Sequence, residues 1–558
     1  MTRKDVPIAF AERAITRSRY GYASSFACHS VQSQVQPNSR LRLDWELLTT
    51  VLVCPNIDRA ASLFPATSAV TFDFQQQVII MSANPKMLQG ASPEFHLLIN
   101  GQLIPGASTL DVINPATGKL LTRCARADRA QLDAAVAAAK AAFPAWSTAP
   151  IESRRQALRT IADAFEARSA EFARLLTEEQ GKPLAHAGYE VAGAVAMIRA
   201  FIAMDLPVKI LRENDSERIV QQHAPLGVVA AITPWNFPLI LLMIKVAPAL
   251  LAGNTVVAKP APTTPLTTLL FGELCAQLLP AGVFNVIVDQ NDLGGFLTQH
   301  PDVAKVAFTG STATGRKVMA SVASTIKRLT LELGGNDAAI VLDDVDVKQV
   351  AARIFQGAMV NAGQVCLAIK RVYVPDSLYE AMCAELVELA NATVVGNGLD
   401  AATQMGPLQN KTQFEKVKGF LDDARAHGKI IAGGKALDRD GYFIAPTIVR
   451  DIPDSARLVR EEQFGPVLPV LKYSSLDDAI ARANGTEYGL GGTVWGADSK
   501  RAYEVAQRMA SGTVWVNKHL ELPPDIPFGG AKQSGFGTEM GQEGLEEFTQ
   551  SRIINMAK

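Results

Sequence analysis

The chain has 558 residues, 48% of them apolar and 20% charged, with 54 Lys and Arg against 55 Asp and Glu for a formal net charge of −1. That length asks for about two to four domains or one elaborate α/β architecture, and the balanced charge excludes a basic field for nucleic acid or anionic lipid. Six cysteines, at 28, 54, 124, 275, 366 and 383, lack the spacing of a disulfide framework or a C-x-x-C site, and the seven histidines form no H-x-x-x-H pair. A reducing, cytoplasmic setting follows, with small molecules and further copies of the chain as partners, and no metal and no membrane.

Residues 1–90 lack sustained periodicity. Arg3, Arg13, Arg17 and Arg19 stand among Ser and Tyr, but Asp5 and Glu12 argue against a transit peptide, which is poor in acids. The segment reads as a disordered or non-native extension; a start at Met81 or Met87, a targeting segment and a genuine extra element are the other readings.

Regular patterning begins at His96. LLIN precedes Gly101, and a hairpin-like stretch ends in the turn Asn114-Pro115-Ala116-Thr117-Gly118. Asp128 is placed to cap a helix that stops before Pro144, and helical periodicity continues through 151–180 and 186–204. Residues 218–223 alternate like a solvent-facing strand, whereas GVVAAI at 227–232 is a continuous β-branched run suited to a buried parallel sheet. NTVVAKP (254–260), FNVIV (284–288), KVAFTG (305–310) and DAAIVL (337–342) then alternate with helices, the pattern of a doubly wound α/β domain. The apolar stretch Phe237–Ala252, interrupted by Lys245, is too short to span a bilayer and reads as a buried helix. Strands VYVP (372–375) and GTVWVN (512–517) mark a second α/β segment, and the tail reads as a short helical turn and a closing strand.

Four segments carry groups suited to chemistry. NAGQVC places Cys366 after Gly363 and Gln364, a small flexible approach that lets a substrate carbonyl come close to sulfur, although a free cysteine is ordinarily a small buried hydrophobe. LTLELGGND puts the Glu332 carboxylate between Leu331 and Leu333, where desolvation raises the pKa toward that of a useful base. TPWNFP holds the Asn236 amide between Pro234 and Pro238, where a turn Asn more often serves local backbone. FTGSTATG sets Gly310 and Gly315 around a helix start that a phosphate approaches; Arg316 and Lys317 break the P-loop pattern, and no G-x-G-x-x-G occurs.

In order, TPWNFP, Lys259-Pro260, FTGSTATG, LELGGN, GQVC, EEQFGPV and PFGGAKQSGFG resemble the aldehyde dehydrogenase superfamily, over roughly 96–558, with 34 residues from Glu332 to Cys366. The resemblance implies an α/β fold with three parts. These are a Rossmann-like parallel-sheet cofactor domain (91–216 and 226–336), an α/β catalytic domain (337–540) and a small oligomerisation β-element (217–225 and 545–558). It implies Cys366 as nucleophile, Glu332 as general base, Asn236 with the Cys366 N–H as oxyanion hole, and Lys245 as a proton relay. For the cofactor it implies Lys259 near the adenosine ribose, Gly310 and Ser311 near the pyrophosphate, and Glu462 with Phe464 around the nicotinamide ribose. Ile232, Thr233, Pro234, Trp235, Gly315 and Leu333 complete that set. Pro262 stands where many members carry a ribose-binding Glu that repels a 2′-phosphate, so NAD is the expected cofactor and NADP stays open.

Phe237, Val365, Leu367 and Phe528 are the implied substrate-pocket residues, while Ile244, Val360 and Leu522 occupy places that are often aromatic. The mouth is therefore apolar and suits an aromatic or aliphatic aldehyde. A homodimer or homotetramer is the implied assembly. A CoA-acylating relative has no use for a hydrolytic base, and a non-catalytic descendant tolerates loss of the nucleophile; Glu332 and Cys366 argue against each.

Overall fold

The computed structural model describes residues 95–558; the readings of residues 1–90 lie outside these. Val228–Ile232, Thr255–Lys259, Phe284–Val286, Val303–Thr309 and Arg328–Glu332 form five parallel strands of an eight-stranded sheet. Val228–Ile232 and Thr255–Lys259 are buried along their whole length, as continuous apolar runs covered on both faces must be. Spatially the five run 284–286, 255–259, 228–232, 303–309, 328–332. The winding therefore reverses between 228–232 and 303–309, and loops leaving the carboxyl ends diverge there to open a crevice.

A seven-stranded sheet holds Asp337–Val341 and Ile369–Pro375 at its centre, flanked by Gly491–Trp495 and Val467–Tyr473. Each sheet has its own apolar core, and the first core includes Val365, Leu367 and Phe528 from the later part of the chain. The two-residue strand Gly535–Phe536 also crosses back, pairing antiparallel with Arg328–Glu332. Residues 337–540 are thus not confined to one sheet.

A third sheet sets Glu217–Pro225 between Lys209–Glu213 and Thr549–Ala557. Among the described residues no helix is long and apolar enough to cross a membrane.

Helix Pro238–Leu251 accounts for the apolar stretch, with Pro238 at its first turn, where no N–H is needed, and Lys245 fully buried. Two expectations need correction. The first helix runs Arg129–Thr148, past Pro144. A proline removes one helical hydrogen bond, but Ser147 Oγ and Thr148 Oγ1 donate to the Pro144 carbonyl and Trp146 Nε1 donates to the Leu250 carbonyl. Side chains thus hold the last turn, and tertiary contact outweighs the local rule. The turn at 114–118 does not end a hairpin but forms its tip, joining Ser108–Asn114 to Lys119–Arg126.

Candidate active site

The crevice is floored by the carboxyl ends of the parallel strands. Ile232 pairs in register with Lys259 and Phe308, and Thr309 with Glu332. The backbone segments 233–237, 260–262, 310–311 and 333–335 all leave from this line. Cys366 arrives from the second sheet's side, on the loop preceding Ile369–Pro375.

That loop is strained. Asn361, Ala362 and Gly363 are successive left-handed residues, with φ of 51°, 55° and 72°, a region costly for non-glycine side chains. Sequence reasoning assigned Gly363 to substrate access. Its requirement is structural: a Cβ there would lie 2.4 Å from the Gly465 carbonyl. Beyond the turn the loop is anchored by the buried Lys370 ammonium, which donates to the carbonyls of Val365 at 2.8 Å and Cys366 at 2.6 Å.

Cys366 is half-buried as a residue, whereas Cys124, Cys275 and Cys383 are buried. Burial of its surroundings holds the thiol well above its ordinary pKa, the neighbouring Glu332 carboxylate raises it further, and Lys370 pulls it down. Glu332 ends its strand buried, with neither carboxyl oxygen held by a hydrogen bond of normal geometry. Burial and then the Glu539 charge push its pKa up to about 8, while contact with Cys366 and the Lys245 charge act downward.

Asn236 lies beside the nucleophile loop. Its Nδ2 donates to the Gln364 carbonyl at 3.0 Å, which uses one of two N–H groups and leaves a second for the cleft. Its own carbonyl accepts from Lys182 Nζ at 2.9 Å and from Asn361 Nδ2 at 3.2 Å. Lys182 is paired with buried Glu190 and stands 3.8 Å from the centre of the Phe237 ring. Glu190 also accepts from the Leu239 N–H at 3.0 Å, capping the helix that follows Asn236.

Lys259 does not stand free: Nζ forms a buried ion pair with Asp289 at 2.6 Å. Pro262 is partly buried just beyond it. Thr233 Oγ1 is buried without a partner. Trp235 and Phe464 meet edge to face at 5.3 Å, with Phe464 at φ 50°. Ser311 caps helix Thr312–Ala323, accepting from the Thr314 N–H, and the Gly310 N–H donates to the Glu332 carbonyl at 3.1 Å. Gly315 has a packing requirement of its own. A Cβ there would fall 2.4 Å from Leu333, so its smallness serves helix–strand packing.

Glu462 Oε1 accepts from the Gly335 N–H at 3.0 Å and lies 3.7 Å from Lys370 Nζ. The glycines of LELGGN make this possible: a Cβ on Gly334 would meet Glu462 Oε2 at 2.5 Å, and one on Gly335 the Cys366 carbonyl at 2.5 Å. Val365, Leu367 and Phe528 belong to the first apolar core, against which Phe237, Val360, Leu520, Leu522 and Cys366 are packed as partly buried residues.

The aldehyde dehydrogenase family model matches residues 104–554. The chain belongs to the aldehyde dehydrogenase family. The enzyme is 39% identical to the putative aldehyde dehydrogenase FUS7 of Gibberella moniliformis over 465 residues, 83% of this chain and 99% of that protein. It superposes on the NAD+ complex of betaine aldehyde dehydrogenase from Staphylococcus aureus with a TM-score of 0.80 at 34% identity, covering 83% of this chain and 95% of the other. An NADP-dependent enzyme of E. coli gives 0.81 at 36%, covering 83% and 98%.

Sequence reasoning about the enzyme missed Glu539, whose Oε1 accepts from Lys245 Nζ at 2.6 Å while Thr309 Oγ1 holds the same ammonium at 2.7 Å. It also missed Lys182, Glu190, Asp289 and Lys370. The buried Lys245 was itself the signal for Glu539, because a lysine in an apolar helix requires a carboxylate partner.

Proposed function

We propose that the enzyme oxidises an aldehyde to a carboxylic acid with NAD+ as acceptor, through a Cys366 thioester that water activated by Glu332 hydrolyses. The observation that carries this reading is the meeting of half-buried Cys366 with a buried Glu332 carboxyl whose pKa is pushed up to about 8. A base must be near neutral to take a proton from water and give it up again.

The crevice fits a dinucleotide. Thr233 Oγ1 lacks a partner, and only a glycine at 334 lets the Glu462 carboxylate approach the strand end. Lys259, Gly310, Ser311, Trp235, Glu462 and Phe464 are the residues to hold it; bound, it supplies the acceptor for the hydride. No carboxylate stands at Pro262 to repel a 2′-phosphate, so NADP+ is the second acceptor to test.

The protein's own groups divide the rest. Cys366 sulfur adds to the aldehyde carbon, and the oxygen's developing charge is met by the free Asn236 N–H and the Cys366 amide. Lys182 and Asn361 hold the Asn236 carbonyl and so orient its side chain. After oxidation, Glu332 takes a proton from water as the water attacks the thioester, and Lys245 with Glu539 carries that proton onward. The apolar lining of Phe237, Val365, Leu367 and Phe528 selects aromatic or aliphatic aldehydes over those with a second charge. The three-stranded element with exposed Ile210, Leu211, Ile553 and Ile554 forms the contact between copies in a homodimer or homotetramer.

Reduced-nucleotide formation with benzaldehyde, hexanal and succinic semialdehyde, with NAD+ and with NADP+, tests the proposal. The acid should form without CoA. Folded protein that turns over no aldehyde with either nucleotide would overturn it.

A further inference from the structure

Lys370 is a buried cation whose bonds join two parts of the site. Its ammonium donates to the carbonyls of Val365 and Cys366 at 2.8 and 2.6 Å, and faces Glu462 Oε1 at 3.7 Å. Glu462 is itself fixed by the Gly335 N–H at 3.0 Å, and Gly335 lies so near the Cys366 carbonyl that a Cβ on it would come within 2.5 Å. The ammonium therefore cannot move away if Glu462 changes partners, because two nucleophile-loop carbonyls retain it. We propose that Lys370 is a positioning residue that couples Glu462 to Cys366, so that ribose hydroxyls engaging Glu462 leave the Lys370 charge to stabilise the Cys366 thiolate. This rests on the reading of Glu462 as a cofactor carboxylate.

The physical basis is competition for one charge. Around the thiol, Glu332 and Glu462 act against ionisation and Lys370 acts for it. Lys245 and Glu539 face Glu332 rather than the sulfur, and His519, bonded through Nε2 to the Leu367 carbonyl, is pushed by burial down to about 4 and stays neutral. Hydroxyl donors on Glu462 draw its charge density toward the ligand and weaken its hold on Lys370. The S–H bond then breaks with its electron pair left on sulfur, and the proton passes to solvent. Ionisation is thereby timed to an occupied site, which protects an empty one from adventitious oxidation.

The test is the pH profile of iodoacetamide labelling at the Cys366 peptide of the full-length enzyme, read by mass spectrometry. It is run free, with AMP, and with NADH, whose nicotinamide carries no positive charge. The midpoint is read, since steric shielding lowers only the plateau. NADH should shift the midpoint down by about one unit, a tenfold gain in thiolate at a given pH, and AMP should not. K370Q, which keeps donors but no charge, should bind NADH within about threefold of wild type and lose the shift; K370R should restore it. A shift that persists in K370Q, or wild type in which bound NADH shifts no more than AMP, overturns the proposal. The second comparison needs no variant to fold. E462Q separates the two claims. Unweakened NADH binding there removes the cofactor reading of Glu462 and the coupling with it, whereas weakened binding alongside a persistent K370Q shift removes the coupling alone.

Discussion

Lys245 and Glu539 meet at 2.6 Å with side chains 0% and 6% exposed, and the charges of both reach Glu332. A fully buried cation next to a carboxylate with one oxygen unpartnered is expensive unless it serves the neighbouring base. Glu539→Gln removes a negative charge that holds the Glu332 pKa up. The midpoint of the acid limb of the kcat–pH profile should therefore move to lower pH than in wild type; an unmoved or raised midpoint contradicts the coupling.

The raised pKa of Glu332 also predicts a stability effect. Its carboxyl moves from 4.5 to about 8 on folding, so the folded state binds the extra proton between those values. The stabilising contribution is complete below about 4.5 and is lost as pH rises through about 8. Glu332→Gln should thus gain stability relative to wild type as the pH is raised across that window. Urea midpoints of the two proteins at several pH values check this, and a constant difference would refute it.

Glu332→Gln should also separate the two half-reactions. A burst of reduced nucleotide near one per active site should survive, followed by slow turnover, in stopped-flow traces. Loss of the burst would remove Glu332 from the hydrolytic step alone.

Asn236→Ala should lower kcat by about 10²–10³-fold, equivalent to ~3 kcal/mol of lost oxyanion stabilisation. The lost bond to the Gln364 carbonyl costs folding only about 1 kcal/mol. A melting temperature near wild type alongside the kinetic loss is the expected pair of results.

Gly334→Ala drives a methyl against the Glu462 carboxylate, 2.5 Å from Oε2, without violating the backbone. The KM for the nucleotide should rise about tenfold, ~1.4 kcal/mol. Unaltered nucleotide affinity would count against Glu462 as a cofactor contact.

The outer strands Lys209–Glu213 and Thr549–Ala557 leave Ile210, Leu211, Ile553, Ile554 and Met556 exposed, a patch that water disfavours and that a second copy would cover in the proposed assembly. Light scattering should give a dimer or larger, and Leu211→Asp with Ile554→Asp should shift it toward monomer. A wild-type monomer would contradict the assembly.

Much of the fold was legible because its signals are local. Unbroken β-branched runs such as 227–232 mark strands buried on both faces, and Asp128 before a helical period marks a cap that forms with Gln131. Pro144 misled for the same reason: the contacts that hold the helix past it, Trp146 to Leu250, are long-range.

The same division runs through the site. The sequence by itself determined the chemical types and their order: Asn236 between prolines, Glu332 before two glycines, Cys366 after Gly363, and the family these motifs belong to. Only the tertiary structure decided which charges those groups feel. Glu539 reaches Lys245 across 294 residues, Lys370 lies between Cys366 and Glu462, and Asp289 neutralises Lys259. Electrostatic energy depends on distance and burial, and both are products of how strand ends from the two sheets converge rather than of spacing along the chain.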